Sequence, residues 1–102
     1  MIIKDFSYKE SLELAKEDIR VFEEIILPML KSQKSFSFAD LDVVSTAFLN
    51  AGSRMNIFNK IKRMEIRDVD KKMKAEEILE KYTTLVKETF SIIEEKEESE
   101  KE

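Results

Sequence analysis

The chain has no cysteine, no histidine and no tryptophan, and only one glycine and one proline among its 102 residues. Without cysteine there is no disulfide framework and no thiolate site. Without histidine the commonest general base and metal ligand at neutral pH is missing as well. A single glycine, Gly52, excludes a glycine-rich phosphate loop. No apolar run approaches the ~18 residues that a membrane span needs. Met1-Ile2-Ile3-Lys4-Asp5-Phe6 lacks a basic segment followed by a long apolar stretch, so no signal peptide is read there and a cytoplasmic address is expected.

What is present suits one small domain with room for one core, at 42% apolar content. Charge is uneven. Residues 1–53 carry 6 basic and 9 acidic side chains, residues 54–74 carry 8 and 3, and residues 75–102 carry 4 and 10. The basic window holds Arg54, Lys60, Lys62, Arg63, Arg67, Lys71, Lys72 and Lys74. It lacks the interleaved aromatics of single-strand binders and any base-reading signature, and the whole chain is acidic at net −4. A solvated face is the expectation, and a nucleic-acid adaptor the least favoured function. Residues 1–93 are read as the domain and 94–102, almost all charge, as a frayed helix end passing into a disordered tail.

Apolar periodicity switches several times. Ile2, Ile3 and Phe6 form a short strand candidate, and Ser7 with Glu10 matches a capping box. Leu12, Ala15, Ile19, Phe22, Ile26 and Met29 then recur at spacings of three and four, one face of a long helix. Pro28 removes one hydrogen bond near its end and bends the last turn. Ser35-Phe36-Ser37-Phe38-Ala39 alternates with the period of a half-buried strand, and Asp40 to Asp42 interrupt it before Val43 and Val44. Ser45 and Thr46 follow, good N-caps for a helix that buries Phe48, Ala51, Met55, Phe58 and Ile61. Met64 to Val69 alternates again, and Asp70 caps a last helix that buries Ala75, Ile78, Leu79, Tyr82, Leu85, Val86 and Ile93.

Strand then helix, three times over, predicts an α/β domain of order βαβαβα. Its three-stranded, mainly parallel sheet would carry helices on one face. The expected core is Phe22, Ile26, Phe36, Phe38, Phe48 and Ile66. A coiled coil ranks below it, because the heptad-like stretches are short and strand-like segments separate them.

The junction Asp42-Val43-Val44-Ser45-Thr46-Ala47-Phe48-Leu49-Asn50-Ala51, with the march of elements before it, resembles the STAS-like domains of prokaryotic proteins. These are a domain of unknown function related to the STAS domains of anti-anti-sigma factors. The resemblance implies a βα superhelix with helices on one side. It also implies a phosphorylatable hydroxyl at Thr46, a protein partner such as a kinase-like ATPase, and a contact surface bordered by Asp42, Ser45, Thr46, Asn50 and Ser53. The acidic residue and the glycine of the family pattern are replaced by Ser45 and Phe48.

Enzyme chemistry finds little to work with. The pairs Glu23/Glu24, Glu76/Glu77 and Glu94/Glu95 are adjacent on helices and splay about 100° apart. Asp40 and Asp42 lie near Ser45 but lack a third ligand for a cation. No catalytic residue, metal ligand or cofactor is assigned. The expected function is a non-catalytic protein-binding and regulatory module, with a homo-oligomeric structural protein as the alternative. A last helix from about Asp70 to Glu95 outruns a short sheet, so Phe90, Ile92 and Ile93 are expected to be left uncovered and to mediate a homodimer.

Overall fold

Short polar side chains start the helices, at positions other than those expected. Ser37 Oγ accepts from the Asp40 N–H at 3.1 Å, and Asp40 Oδ2 accepts from the Ser37 N–H at 3.0 Å. This reciprocal pair satisfies two donors that no helical carbonyl can reach. Asp68 Oδ1 accepts from the Lys71 N–H at 3.2 Å and opens the last helix in the same way. The structure is a computed structural model that describes residues 5–63 and 68–101. Its elements are α1 (Asp5–Val21), a π-helical turn (Phe22–Ile26), α2 (Leu27–Ser32), α3 (Phe38–Arg63) and α4 (Val69–Lys101).

The described residues contain no strand, so the βαβαβα sheet and the STAS-like fold are overturned. Phe36-Ser37-Phe38 alternates because a loop residue, an N-cap and the first residue of a helix follow one another. Asp40 and Asp42, read as an interruption, occupy the first turns of α3, where the positive end of the helix dipole favours carboxylates. Ser45 and Thr46 cap nothing, since α3 already starts at Phe38. Ser7 likewise falls inside α1, which starts at Asp5. Ile2, Ile3 and most of the Met64 to Val69 strand lie outside the described residues, as does Ile66. Asp68, two residues before the expected Asp70, makes the capping bond of α4. Helix α4 itself continues to Lys101, through the segment read as a tail.

Cross-helix pairs fix the topology as up, down, up. Lys62 on α3 pairs with Glu76 on α4 at 3.2 Å, near the α3–α4 connection, while Phe48 stacks on Phe90 further along both helices at 4.6 Å. Helix α3 is therefore antiparallel to α4. The Arg54–Asp18 and Phe48–Phe22 contacts set it antiparallel to α1 in the same way. Helices α1 and α4 run parallel, tied by Lys81–Glu23 at 3.0 Å and, beyond the π turn, Lys31–Glu88 at 3.4 Å. The result is a rod of 54 × 21 × 19 Å. Its length matches α4, ~50 Å at 1.5 Å per residue.

The core follows a heptad on every helix. Val44, Ala47, Ala51, Arg54, Phe58 and Ile61 recur at alternating spacings of three and four on α3. Ala75, Ile78, Tyr82, Leu85, Thr89, Ile92 and Lys96 do the same on α4. All are buried except Arg54, Ile92 and Lys96, which are partly so. This is the coiled-coil repeat that ranked second in the sequence. The hydroxyls and charges at Arg54, Thr89 and Lys96 interrupt its apolar signature. Each is accommodated: Thr89 Oγ1 donates to the Leu85 carbonyl at 2.7 Å. The Lys96 ammonium donates to the carbonyls of Leu30, Lys31 and Gln33, closing the end of α2.

The first helical segment counts differently. Tyr8, Ser11, Ala15, Asp18 and Phe22 keep the heptad, but the next core residues, Ile26 and Leu30, come eight after Asp18 and Phe22. The π turn absorbs the extra residue, its Leu27 N–H reaching back to the Phe22 carbonyl. Pro28 explains its position. Proline has no N–H to give to Glu24, and in a regular α-helix its ring would press on that carbonyl. Pro28 thus acts one turn earlier than the expected bend of the last turn.

Of the expected core, Phe22 and Ile26 are buried, and Phe36 and Phe48 are partly buried against them. Phe38 is not part of it: the side chain is 94% exposed.

Candidate protein-binding face

Asp42, Ser45, Thr46, Asn50 and Ser53 all lie on α3, and all five are exposed. Their separations of three, four, seven, eight and eleven place them on one stripe of the helix, pointing away from α1 and α4. The structure therefore brings the expected contact residues together, although the strand-to-helix junction that suggested them does not exist. Thr46 stands eight residues beyond Phe38, outside the first turn where the helix dipole favours a phosphate. Its hydroxyl is reachable but holds no special electrostatic place.

The stripe contains apolar side chains as well. Leu49, in its centre, is 75% exposed; Val43 is half-exposed at its edge and Phe38 stands at its head. Gly52 opens outward, with nothing within 4 Å of where a Cβ would sit. From Val43 to Ser53 there is no charged residue, in a chain that is 39% Asp, Glu, Lys and Arg. The sequence reads this charge-free run as a strand end at Val43 and Val44 followed by a helix capped by Ser45 or Thr46. Its one visible signal was the length of the run between Asp42 and Arg54.

No family model, curated protein or solved structure matches the chain. The stripe must then be weighed by geometry alone. The other convergence of polar groups is internal. The Tyr82 hydroxyl donates to Asp18 Oδ2 at 2.7 Å, and Arg54 Nε lies 3.6 Å from the same oxygen. Tyr82 is fully buried. Burial first, and then the bond to Asp18, pushes its hydroxyl well above the usual tyrosine range. Arg54 Nε is buried without a hydrogen-bond partner, so the layer is held by charge as much as by bonding. Packed between three helices, these groups are largely out of water, with the Arg54 and Asp18 side chains 20% and 13% exposed.

An open groove of about 500 Å³ lies between α3 and α4, lined by Met55, Asn59, Lys62, Glu76, Leu79 and Thr83. The Lys62–Glu76 ion pair joins two of its lining residues. Among the described residues no group of three or more acidic side chains is placed to hold a metal ion, and no helix is long and apolar enough to cross a membrane.

Several cations of the basic window are engaged within the fold. Arg54 turns inward to Asp18, Lys62 pairs with Glu76, and Lys74 pairs with Glu77 at 3.6 Å. Lys71 sits over the Tyr8 ring, 5.1 Å from its centre. Arg67 lies outside the described residues. A continuous phosphate-tracking groove would need these cations aligned and unpaired.

The expected self-association residues are placed otherwise than the overhang argument requires. An overhang requires a helix longer than the layer beneath it, whereas α4 is matched by the whole α1–α2 segment. Ile92 and Ile93 pack against the core. Phe90 is half-exposed, with one face stacked on Phe48 at an interplanar angle of 13°.

Proposed function

We propose that the chain is a non-catalytic protein-interaction module that docks a partner along the outer stripe of α3. The observation that carries the reading is the uncharged, partly apolar run from Val43 to Ser53, exposed on an otherwise highly charged rod. Interface centres are depleted of charge and enriched in apolar side chains relative to ordinary surface. Asp42 and Lys60 border the stripe and supply a polar rim. The face is regular helix, so a partner meets a preformed surface and little ordering entropy opposes binding. Phosphorylation of Thr46 would add about −1.5 to −2 charge to the neutral stripe, four residues from Asp42, and would weaken docking by repulsion and desolvation. The expectation of a kinase-like ATPase partner came with the STAS resemblance and loses its support with that fold. A cytoplasmic address belongs to the same reading.

A photo-crosslinking amino acid placed at position 49 or 46 in cells tests the reading. Adducts are expected from these positions and not from Glu13 or Glu80, which are exposed on α1 and α4. Equal labelling from all four positions, or none, sinks it.

A further inference from the structure

We propose that the occupant of the α3 stripe is a second copy of this chain, packed antiparallel about a two-fold axis close to Leu49. The inference rests on the reading of that stripe as a docking face, and adds the identity and direction of the partner. Charge selects both. The chain is acidic, with a net charge of −4, so two copies repel over most of their surface and meet most favourably where neither carries charge. Along the outer side of α3 the charges are segregated: Asp42 at the start, none from Val43 to Ser53, and Lys60 and Arg63 at the end, while Asp40 caps Ser37, Arg54 turns inward to Asp18 and Lys62 pairs with Glu76. A parallel pair would set acid against acid and base against base. An antiparallel pair sets the acidic start of each helix beside the basic end of the other, and a two-fold axis satisfies both ends at once.

The side chains fit that arrangement. With Leu49 on the axis, the two Leu49 side chains meet, Ser45 of each copy faces Ser53 of the other, and Thr46 faces Gly52. The open space at Gly52 lets the opposing backbone come close. Phe38, exposed in the single chain, faces the aliphatic stem and ammonium of Lys60 of the second copy. From Phe38 to Lys60 the stripe is ~33 Å long and about one helix, ~10 Å, wide. That is roughly 330 Å² per copy, below the ~800 Å² of a standard stable interface. The dimer is accordingly reversible, forming at tens to hundreds of micromolar.

Sedimentation equilibrium of the purified chain from about 10 µM to 1 mM is expected to show a monomer–dimer equilibrium. Leu49→Glu is expected to weaken it at least ten-fold while helicity by circular dichroism stays unchanged, because the side chain is exposed. The cysteine-free sequence makes disulfide mapping direct. Leu49→Cys is expected to cross-link to itself, and a mixture of Ser45→Cys with Ser53→Cys to form the mixed dimer while neither does so alone. A wild type monomeric at 1 mM overturns the proposal, as does a dimer untouched by Leu49→Glu. Self-linking of Ser45→Cys together with Ser53→Cys indicates a parallel pair and overturns the antiparallel geometry. A monomer whose photo-adducts at position 49 contain another protein removes the second copy but leaves the docking module standing. The absence of any adduct removes both.

Discussion

Along the inner side of α3, Arg54 is held largely out of water against Asp18, whereas the outer side from Val43 to Ser53 is in water and carries no charge. Each side departs from the usual allocation of polar and apolar groups. The inner charge is tolerated because its partners are fixed by two other helices: Asp18 and the Tyr82 hydroxyl close the layer. The outer neutrality has no such internal reason, since the bundle core is complete without it. The difference separates what the fold requires from what it leaves available. The buried charge is tied to fixed partners on two other helices, and the uncharged outer side is the one to which the proposed docking is assigned.

Deleting apolar volume should separate the two sides most clearly. Phe58 is fully buried on the inner side, and Phe58→Ala should cost ~3–5 kcal/mol, read as a fall in urea midpoint. Phe38→Ala, for which a place in the core predicts a similar loss, should cost less than ~0.5 kcal/mol. Equal losses would erase the distinction between the sides. Breaking the polar layer comes next. Asp18→Ala strands Arg54 and the Tyr82 hydroxyl and should cost ~2–3 kcal/mol, less than a fully enclosed pair because both charges keep some access to water. Replacing Asp18, Arg54 and Tyr82 together by Leu, Met and Phe should recover most of that loss, and failure to do so would show that the layer contributes more than register.

The smallest loss expected within the polar layer is the most specific. The folded state holds the Tyr82 proton more tightly than the unfolded chain, in which a tyrosine ionises near its ordinary value of about 10. The stability this contributes is fully present below that pH and is lost as pH rises above it, where only the unfolded chain gives up the proton. Tyr82→Phe should therefore cost ~1–2 kcal/mol at pH 7 and lose stability less steeply than the wild type above pH ~10. Tyr8, also raised by partial burial, keeps some of the slope. Identical slopes in the two proteins would place Tyr82 in ordinary contact with water.

The helices were legible in the sequence as helices, but the sheet between them was not there to read. Leu12 to Met29 and Ala75 to Ile93 show their faces through three- and four-residue spacing, and both segments are helical. Five residues of alternation at Ser35 to Ala39 carry little information against a local competitor. Ser37 and Asp40 were that competitor, a capping pair three residues apart hidden inside the apparent strand. The run Val43-Val44-Ser45-Thr46 misled for a different reason. Its β-branched and hydroxyl residues have weak helix propensity, and packing of Val44 and Ala47 against two neighbouring helices overrides it. The exposed stripe was partly legible, since Asp42, Ser45, Thr46, Asn50 and Ser53 were named, but through a junction that the fold does not contain. Leu49 was read only as part of that junction, and the periodicity gave no sign that it stands exposed on the outer side. The Asp18–Arg54–Tyr82 layer escaped because its members are separated along the chain by more than thirty and then by nearly thirty residues.

The wide turn at Phe22 to Ile26 has a consequence for length variation. The helix counts eight residues there where its neighbours count seven, so the phase of the seam before it and of the seam after it are reconciled at one place. Removing a single residue from Glu23-Glu24-Ile25 together with Pro28→Ala would leave both seams in step with an ordinary turn between them, whereas a deletion two turns earlier would rotate every following core residue by about 100°. The bulge is in that sense an expansion joint, the point in the rod where one residue more than the repeat is taken up and the core still closes.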